Sequence, residues 1–305
     1  MLVACWGIIR RWHCRALGRQ AMLESSRVDS KLVAPRSLSL SYYTVPELSF
    51  PDMMEVAARA GCNQVGVRLL DGAPDGTSAP LLLSAALRRE ARSRMAELGL
   101  TALEASAARI RPATRISDFQ PFLAACAELG VRHVMCTIDD NDSARGTAKL
   151  AQLCEMSRRH GLRVEIEFVP WMSVGSLADA VVLVRDIATD NLGIVVDALH
   201  FDRSHGRPEE VAALPPAWFR FLQVCDAPVC TDYSIASQLH VATQERLFPG
   251  EGSIALVALL RAAPQGIPLA LEIPTATLSK NMPALERVQR AVAATHALLA
   301  TAEQR

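Results

Sequence analysis

From Ser37 onwards, the hydrophobic positions of the chain follow two alternating patterns. Short β-branched and aliphatic runs are typical of buried strands, and the longer segments between them have apolar residues at helical spacing. The strand-like runs lie at 37–43, 63–69, 100–106, 132–138, 163–169, 192–199, 219–225 and 267–273. The helix-like segments lie at 51–60, 80–97, 117–129, 143–160, 176–187, 208–213, 252–262 and 281–301. This alternation predicts βα units around a parallel sheet.

Proline and glycine residues mark the ends of several predicted helices. Pro51 and Asp52 open the first helix, Gly61 ends it, and Gly130 and Gly161 end two later ones. Eight strands, each followed by a helix, are typical of a closed (β/α)₈ barrel, whereas a doubly wound sheet usually has fewer strands. The sequence therefore predicts an α/β fold with a single TIM barrel over residues 37–305.

Two segments do not follow the alternation. In residues 1–36 the apolar run LVACWGII precedes four arginines, the reverse of the order in a signal peptide, with no acidic residue before Glu24. We interpret residues 1–36 as an extension outside the barrel: a flexible tail, an oligomerisation arm, or a consequence of start-site choice with Met22 as the true beginning. Residues 227–251 show little periodicity, and we expect a loop that covers the barrel mouth.

Composition and charge exclude several classes of function. The chain has 32 basic and 32 acidic residues among 305, a formal net charge of +0, so binding to nucleic acid or to an anionic membrane is disfavoured. No stretch approaches the roughly 18 consecutive apolar residues of a membrane span. The eight cysteines lie mostly in apolar runs without CxxC spacing. They predict free thiols in a reducing cytoplasm.

Four strand-like runs carry an oxygen ligand at or near their C-terminal end. VEIEF carries Glu167, LGIVVDALH carries Asp197, FRFLQVCD carries Gln223 and PLALEIP carries Glu272. Because the strand ends of a parallel barrel meet at one mouth, we expect these side chains to converge. Three carboxylates and an amide oxygen suit one hard divalent ion, so we predict Mn²⁺ or Mg²⁺, with Co²⁺ as a substitute in vitro. For any single acid, a salt bridge or a helix cap is the alternative.

Glu165 is a rival for the ligand on the fifth strand. Strand alternation sends Glu165 and Glu167 to the same face of the sheet, so periodicity cannot separate them. We favour Glu167 because it lies nearer the end of the strand.

Five motifs, in this order, carry a resemblance to a known family: EIEFVPW, VVDALHF, LQVCDAP, ERLFPGEG and LEIP. Over about residues 37–300 the chain resembles the xylose-isomerase-like TIM-barrel superfamily. This superfamily contains sugar-phosphate isomerases and epimerases, inosose dehydratases, hydroxypyruvate isomerases, ketose 3-epimerases and dehydroshikimate dehydratases. The resemblance implies one divalent ion held by a Glu, an Asp, a His or Gln, and a Glu on strands five to eight, which match Glu167, Asp197, Gln223 and Glu272.

The resemblance also implies a reaction, the removal of a proton from carbon next to a carbonyl, with an enediolate stabilised by the metal. Glu167 and Glu272 match the paired acid and base glutamates of the family. His200 resembles its substrate-binding histidine and Arg246 its substrate-clamping arginine. Three further residues are candidates for substrate contact: Glu104, Trp171 and Glu251. A packed histidine, a surface arginine and a packed tryptophan remain the alternatives for His200, Arg246 and Trp171.

The residue types at the strand ends separate the classes of enzyme. Gln223 stands where many ketose 3-epimerases have His, which disfavours that activity. The seven histidines are too few for a multi-zinc nuclease, and no lysine lies in a predicted strand, as a Schiff-base aldolase requires. We predict a metal-dependent isomerase or epimerase of a small polyhydroxy carbonyl compound. A dehydratase of the inosose or 3-dehydroshikimate type and a non-catalytic binding barrel are the alternatives, and the apolar helix faces are compatible with a homodimer or tetramer.

Overall fold

The computed structural model describes residues 36–70 and 80–304. Within them, eight parallel strands form a closed barrel in sequence order: β1 Leu38–Leu40, β2 Gln64–Arg68, β3 Thr101–Ile110, β4 His133–Ile138, β5 Arg163–Glu167, β6 Leu192–Asp197, β7 Leu222–Val224 and β8 Leu269–Leu271. The barrel closes through β8 and β1, where Leu38 pairs with Leu269 and Leu40 pairs with Leu271. The predicted TIM barrel is therefore confirmed.

Helices connect the strands. They are α1 Phe50–Ala60, α2 Pro80–Leu83, α3 Ala85–Glu97, α4 Gln120–Leu129, α5 Ser143–Arg159, α6 Leu177–Ile187, α7 Ala198–Arg203, α8 Pro208–Ala212, α9 Ile235–Gln244, α10 Leu256–Ala262 and α11 Ala284–Glu303. Short 3-10 turns lie at Tyr42–Thr44, Ile116–Phe119, Pro216–Trp218 and Leu278–Lys280. Across the described part of the chain, no helix combines the length and the apolar character that a membrane span needs.

The prediction of an irregular loop over 227–251 is wrong, because this segment contains α9. The helix begins at Ser234, whose hydroxyl accepts a hydrogen bond from the N–H of Ser237. Ile235 and Leu239 are exposed on α9, which weakens the amphipathic pattern that would have identified it. The predicted position at the mouth is nevertheless observed, since Leu239 and Thr243 line the cavity there. The predicted extension 1–36 lies, apart from Arg36, outside the described residues.

The strand alternation divides the core into two parts. Side chains that face outwards pack against the helices in one large cluster. Five buried side chains form a separate layer, which we assign to the barrel interior: Leu103, Met135, Val195, Phe221 and Ala270. Three of these residues are each followed, two positions later, by a predicted ligand: Val195 by Asp197, Phe221 by Gln223 and Ala270 by Glu272. Because side chains alternate along a strand with a period of two, the three ligands share the inward face. The three side chains therefore lie directly above the apolar interior, on the side of the strand ends.

Candidate active site

The carboxyl ends of the strands surround a cavity of about 280 Å³. Five of the residues predicted as site residues line it: Glu167, Trp171, His200, Arg246 and Glu272. Asp197 and Gln223 are buried beside it, with 1% and 0% of their surface exposed. The cavity volume lies just below the usual range of small-molecule sites, about 300–1,000 Å³. It suits a compact ligand.

Three predicted residues come together closely enough to share one ion. The ligand atoms of Glu167, Asp197 and His200 lie within 4.8 Å of one another, and all three side chains are buried. Asp197 ends β6 and caps α7, because its Oδ1 accepts hydrogen bonds from the N–H groups of Leu199 at 2.8 Å and His200 at 3.1 Å. This cap places His200 beside Asp197, and His200 Nε2 is 3.9 Å from Glu167 Oε1.

Arg246 connects the two sides of the cluster. Its Nη1 donates to Asp197 Oδ2 at 2.6 Å, and its Nη2 donates to Glu272 Oε1 at 3.2 Å. Its Nε donates to the carbonyl oxygen of Ala242 in α9 at 2.9 Å. With 3% of its surface exposed, Arg246 is not an ordinary surface arginine. Its hydrogen bonds include two of the four predicted metal ligands, and Arg246 also lines the cavity.

Gln223 and Glu272 contact each other at the ends of β7 and β8. The Gln223 Nε2 group donates to Glu272 Oε2, and Ser41 Oγ donates to the same oxygen at 3.0 Å. Gln223 Oε1 and His200 Nδ1 are buried and have no hydrogen-bond partner within the described residues. A buried polar atom without a partner costs about 1–3 kcal/mol, so these atoms fit a site that receives a further group. A carboxylate, amide and imidazole set fits a divalent cation.

The protonation of the cluster reflects burial and the charge of Arg246. Burial raises the pKa of Glu167 well above its usual range, and the nearby Glu272 and Asp197 charges raise it further. Burial also raises the pKa of Glu272. Burial acts the same way on Asp197, but Arg246 and His200 outweigh it and the pKa of Asp197 is lowered. Burial lowers the pKa of His200 to about 4, so its imidazole is neutral near pH 7.

The structure separates Glu165 from Glu167. Glu165 Oε1 lies 2.9 Å from His133 Nδ1 and accepts a hydrogen bond from Arg220 Nη1 at 3.3 Å. Since His133 is the first residue of β4, these contacts hold Glu165 towards the amino ends of the strands. Glu165 does not line the cavity at the mouth, whereas Glu167 does.

Glu104, one of the candidates for substrate contact, is buried in the barrel below the cavity and does not line it. Its Oε2 accepts a hydrogen bond from Ser39 Oγ at 3.5 Å, and its carboxyl group packs on the Cα of Gly66. A Cβ at Gly66 would lie 2.0 Å from Glu104 Oε1, so a larger residue at position 66 would require this carboxyl group to move. Burial, with a contribution from the charge of Glu272, raises the pKa of Glu104 to about 8.

Of the two remaining candidates for substrate contact, one lines the cavity and the other does not. Trp171 lines the cavity, and its ring meets the ring of His200 edge-on at a centroid distance of 5.2 Å. Glu251 is exposed and accepts hydrogen bonds from Arg290 at 2.5 Å and 3.1 Å. It does not line the cavity. Asp226 orders the loop that carries Glu251, because its carboxylate accepts hydrogen bonds from the N–H groups of residues 227, 250 and 254.

The residues that line the cavity but were not predicted from the sequence include two arginines and a tyrosine. Arg68 ends β2, Arg109 lies near the end of β3, and Tyr43 follows β1. A position at the end of a predicted strand, which distinguishes the predicted acids, also describes Arg68 in the strand-like run 63–69. Arg109 instead lies beyond the strand-like run 100–106, because β3 continues to Ile110.

A model of one protein family matches residues 54–298, most of the chain, and its description is a xylose isomerase-like TIM barrel. The chain belongs to the xylose isomerase-like TIM-barrel family. The resemblance seen in the ordered motifs is therefore confirmed. In this xylose isomerase-like barrel, the matched residues contain all four predicted ligands, from Glu167 on β5 to Glu272 after β8.

Curated relatives of this barrel are enzymes. An inosose isomerase from Bacillus subtilis is 24% identical over 157 residues, which cover 48% of this chain and 54% of the relative. A 3-dehydroshikimate dehydratase from Pseudomonas aeruginosa is 33% identical over 128 residues, which cover 41% of this chain and 20% of the relative. The chain thus matches about half of the length of the first relative and one fifth of the second.

One solved structure supports the fold over nearly the whole barrel. The IolI protein, in a crystal structure with a bound zinc atom, has a TM-score of 0.72 and 20% sequence identity. The match covers 88% of this chain and 100% of IolI. At this level of identity the likeness shows the fold alone.

Proposed function

We propose that this chain is a divalent-metal-dependent enzyme that removes a proton beside the carbonyl of a small polyhydroxylated compound and returns it at another position or on another face. It would therefore be an isomerase or epimerase. The observation that carries this proposal is the convergence of Glu167, Asp197 and His200 within 4.8 Å, beside a cavity that Glu167, His200 and Glu272 line.

The ligand set that we propose consists of Glu167, Asp197, Gln223 and Glu272. The unpartnered Gln223 Oε1 and the rich supply of carboxylate oxygen favour a hard divalent ion, and we propose Mn²⁺ or Mg²⁺. His200 lies close enough to Asp197 and Glu167 to replace one of these ligands. When bound, the ion would supply electrophilic stabilisation of negative charge on the substrate oxygen.

The proton transfer would be carried out by Glu167 and Glu272, which approach the cavity from different strand ends. The pKa of both carboxyl groups is raised from the ordinary carboxyl range, which is the direction that suits a group that must both accept and donate protons near neutral pH. His200, neutral near pH 7, would hold a substrate hydroxyl. Trp171 would form an apolar wall beside it.

Arg246 would act mainly on the protein's own carboxylates. Its contacts with Asp197 and Glu272 stabilise the ionised form of Asp197, which is the form that binds a cation. A direct contact with substrate, as first expected for Arg246, is compatible with its position in the cavity wall. The ion pairs give this residue a positioning role in addition.

A dehydratase is the second candidate, and one observation favours it. The 33% identity to 3-dehydroshikimate dehydratase exceeds the 24% identity to inosose isomerase, although it covers a shorter part of both chains. Elimination of water begins with the same proton abstraction and then needs an acid to protonate the departing hydroxyl. Glu167 or Glu272 could serve as that acid.

We also propose a small-molecule substrate, no nucleic-acid partner and a cytoplasmic location. The cysteines of the described residues are free thiols, mostly buried, which supports a reducing compartment. A homodimer or tetramer stays a proposal for measurement by light scattering.

The test is exchange of substrate hydrogen in D₂O, followed by NMR. The protein is stripped with EDTA, reloaded with Mn²⁺, Mg²⁺, Co²⁺ or Zn²⁺, and incubated with ketoses, inososes, hydroxypyruvate and 3-dehydroshikimate. We expect metal-dependent deuterium incorporation at the carbon beside the carbonyl, with an isomer or a dehydrated compound as product. Glu272→Gln should lower the rate by about 100-fold or more, because a charge that acts on the reacting centre is lost.

Glu251→Gln is the matched control, since it makes the same change on an exposed glutamate outside the cavity, and its rate should equal that of the wild type. Metal-independent exchange, or full activity of Glu272→Gln, would refute the proposed mechanism. Tight binding of one compound without exchange of any would support a binding barrel instead.

A further inference from the structure

We propose that the amino-terminal end of the barrel carries a second binding site, which binds the phosphate group of a small molecule, either a phosphate ester or free phosphate. Four basic residues would form it: Arg132, His133, Arg163 and Arg220. The site lies at the opposite end of the strands from the candidate active site. It is therefore independent of the proposed function and of the proposed metal.

A cavity of about 490 Å³ opens at this end of the barrel. His133 and Arg163 are the first residues of β4 and β5, and Arg220 precedes β7. Leu103, from the apolar layer of the barrel interior, also lines this cavity. The volume lies within the usual range of small-molecule sites, about 300–1,000 Å³, so a small organic molecule fits as well as an ion.

The charges of Arg132 and Arg163 are not neutralised by an ion pair. Both side chains are exposed, and neither makes an ion pair or a side-chain hydrogen bond with another described residue. Among the described residues that line the cavity, none is acidic. The pKa of Asp190 is lowered mainly by the Arg158 guanidinium, 2.6 Å away, and less by the charge of Arg163. Asp190 is thus already paired with Arg158, and both cavity arginines keep excess positive charge.

Contacts behind the cavity hold Arg220 in place. Its Nη1 donates to Glu165 Oε1 at 3.3 Å, and its Nη2 donates to the carbonyl oxygen of Asp190 at 2.9 Å. A Cβ at Gly193 would lie 2.6 Å from Nη1, so this glycine leaves room for the guanidinium. The charge of Glu165 offsets that of Arg220. A guanidinium has more N–H groups than these two bonds use, so oriented donors remain for a ligand.

His133 is fixed from two directions. Its Nδ1 is 2.9 Å from Glu165 Oε1, and its ring centre is 5.5 Å from that of Phe221. Because the Glu165 carboxylate accepts hydrogen bonds, Nδ1 is the donor and Nε2 is the ring nitrogen left for a ligand. Nε2 has no hydrogen-bond partner among the described residues. His133 therefore lines the cavity with only 7% of its surface exposed and with one polar atom available.

A phosphate group fits this set better than a neutral or singly charged group. The excess charge of two guanidinium groups calls for about two negative charges, which a phosphate monoester carries near pH 7. Guanidinium N–H groups match phosphate oxygens in pairs, and these hydrogen bonds are charge-assisted. The formal net charge of the chain is +0, so a long polyanion would gain little from the rest of the surface. The site therefore favours a small phosphate compound.

The test is calorimetric titration of EDTA-treated protein at constant ionic strength. Glycerol, glycerate and glycerol 3-phosphate share a three-carbon skeleton and differ in charge. We expect glycerol 3-phosphate to bind about tenfold or more tightly than glycerate, and glycerol not to bind detectably. Inorganic phosphate is the fourth probe. If it binds more tightly than glycerol 3-phosphate, free phosphate is the ligand, and if it binds more weakly, a phosphate ester is.

Arg132→Gln and Arg163→Gln should each weaken the binding of the preferred phosphate compound about tenfold. Both substitutions alter exposed side chains, so the variants should fold, and Arg163→Lys should lose less affinity because it keeps the charge. The matched control is Arg115→Gln, which removes an exposed arginine beside the 3-10 turn after β3, at the mouth end. Its affinity should equal that of the wild type.

Glu272→Gln shows which end of the barrel binds the phosphate compound. If the compound bound at the mouth, loss of this negative charge would change its affinity, whereas binding at the amino-terminal end should be unaltered. An altered affinity in Glu272→Gln would overturn the site. So would wild-type affinity in both Arg132→Gln and Arg163→Gln, equal binding of glycerate and glycerol 3-phosphate, or no binding of either phosphate compound at millimolar concentration.

Discussion

The guanidinium of Arg246 donates from Nη1 to Oδ2 of Asp197 at 2.6 Å, and both side chains are almost completely buried. This ion pair joins the end of β6 to the segment after α9. It also keeps the carboxyl group of Asp197 ionised although the group is buried away from water. A buried charge that loses its partner is costly, typically about 3–5 kcal/mol.

Replacing Arg246 should therefore destabilise the protein unless a metal compensates. In the metal-free protein we expect Arg246→Met to lower the free energy of unfolding by about 3–5 kcal/mol, measured by urea denaturation. Addition of Mn²⁺ should raise the melting temperature of this variant more than that of the wild type, because the ion replaces the lost positive charge. The control is Arg290→Met, which breaks an exposed pair with Glu251 and should cost about 1 kcal/mol or less. Equal effects of the two substitutions would contradict this account.

Metal binding should strengthen as the pH rises. Burial holds the pKa of Glu167 and of Glu272 above the ordinary value, so in the metal-free protein these carboxyl groups keep their protons to a higher pH than exposed carboxyl groups do. A cation binds the carboxylate form, and binding must release those protons. Affinity is therefore fully present above the raised pKa and is lost as the pH falls through it.

Calorimetric titration with Mn²⁺ at pH 6 and pH 8, in two buffers of different ionisation enthalpy, measures both the affinity and the protons released. Glu272→Gln should reduce the number of protons released. A pH-independent affinity in the wild type would be inconsistent with protonated ligands.

The free energy of unfolding should fall as the pH rises, because Glu104 is protonated in the folded protein. Its pKa is about 8 in the folded protein and near 4.5 when exposed, so the folded state holds a proton that the unfolded state releases. The contribution of this carboxyl group to the free energy of unfolding is fully present below pH 4.5 and is lost as the pH rises through about 8. Glu104→Gln keeps the shape without the titration. The variant should gain stability over the wild type between pH 5 and pH 9, by a few kcal/mol in order of magnitude.

Urea denaturation of metal-free protein at the two pH values measures this difference. The matched control is Glu90→Gln, which alters an exposed glutamate on α3. It should change the free energy of unfolding by the same small amount at both pH values. A constant difference between Glu104→Gln and the wild type across the range would argue against a protonated Glu104.

Gly66 and Glu104 should behave as one packing unit. A Cβ at position 66 would lie 2.0 Å from Glu104 Oε1, and the nearest atoms around it all belong to Glu104. Gly66→Ala should therefore destabilise the wild type by about 1–3 kcal/mol, the usual cost of overpacking. In a Glu104→Ala background the same change should cost little. A double-mutant cycle by denaturation tests this, and additive effects would show that the two residues are independent.

The sequence was sufficient for the barrel and for the inward direction of three polar residues at its mouth, because both follow from short-range patterns. Alternation within strands sends Asp197, Gln223 and Glu272 inwards, and the barrel geometry brings strand ends together. From the sequence, Glu167 could be preferred to Glu165 only because it lies nearer the end of the strand. In the structure, contacts with His133 and Arg220, which are 32 and 55 residues away in the chain, hold Glu165 away from the mouth.

Arg109 was missed for a different reason. The predicted third strand ended at residue 106, where a run of small residues with weak strand preference begins, but β3 continues to Ile110. The pairing between β3 and β4 shifts register between Ala105 and Ala108, which lengthens the strand without following a simple alternation. Such an irregularity arises from pairing with a neighbouring strand, so the local sequence does not reveal it.

Both carboxylate oxygens of Asp197 are held by hydrogen bonds. One oxygen of its carboxyl group holds the first turn of α7, and the other is held by Arg246, so rotation of the side chain would break bonds on both sides. An arriving cation would meet a preorganised carboxylate whose orientation costs no additional entropy on binding. The short helix after β6 would thereby act as a rigid support for the proposed ion.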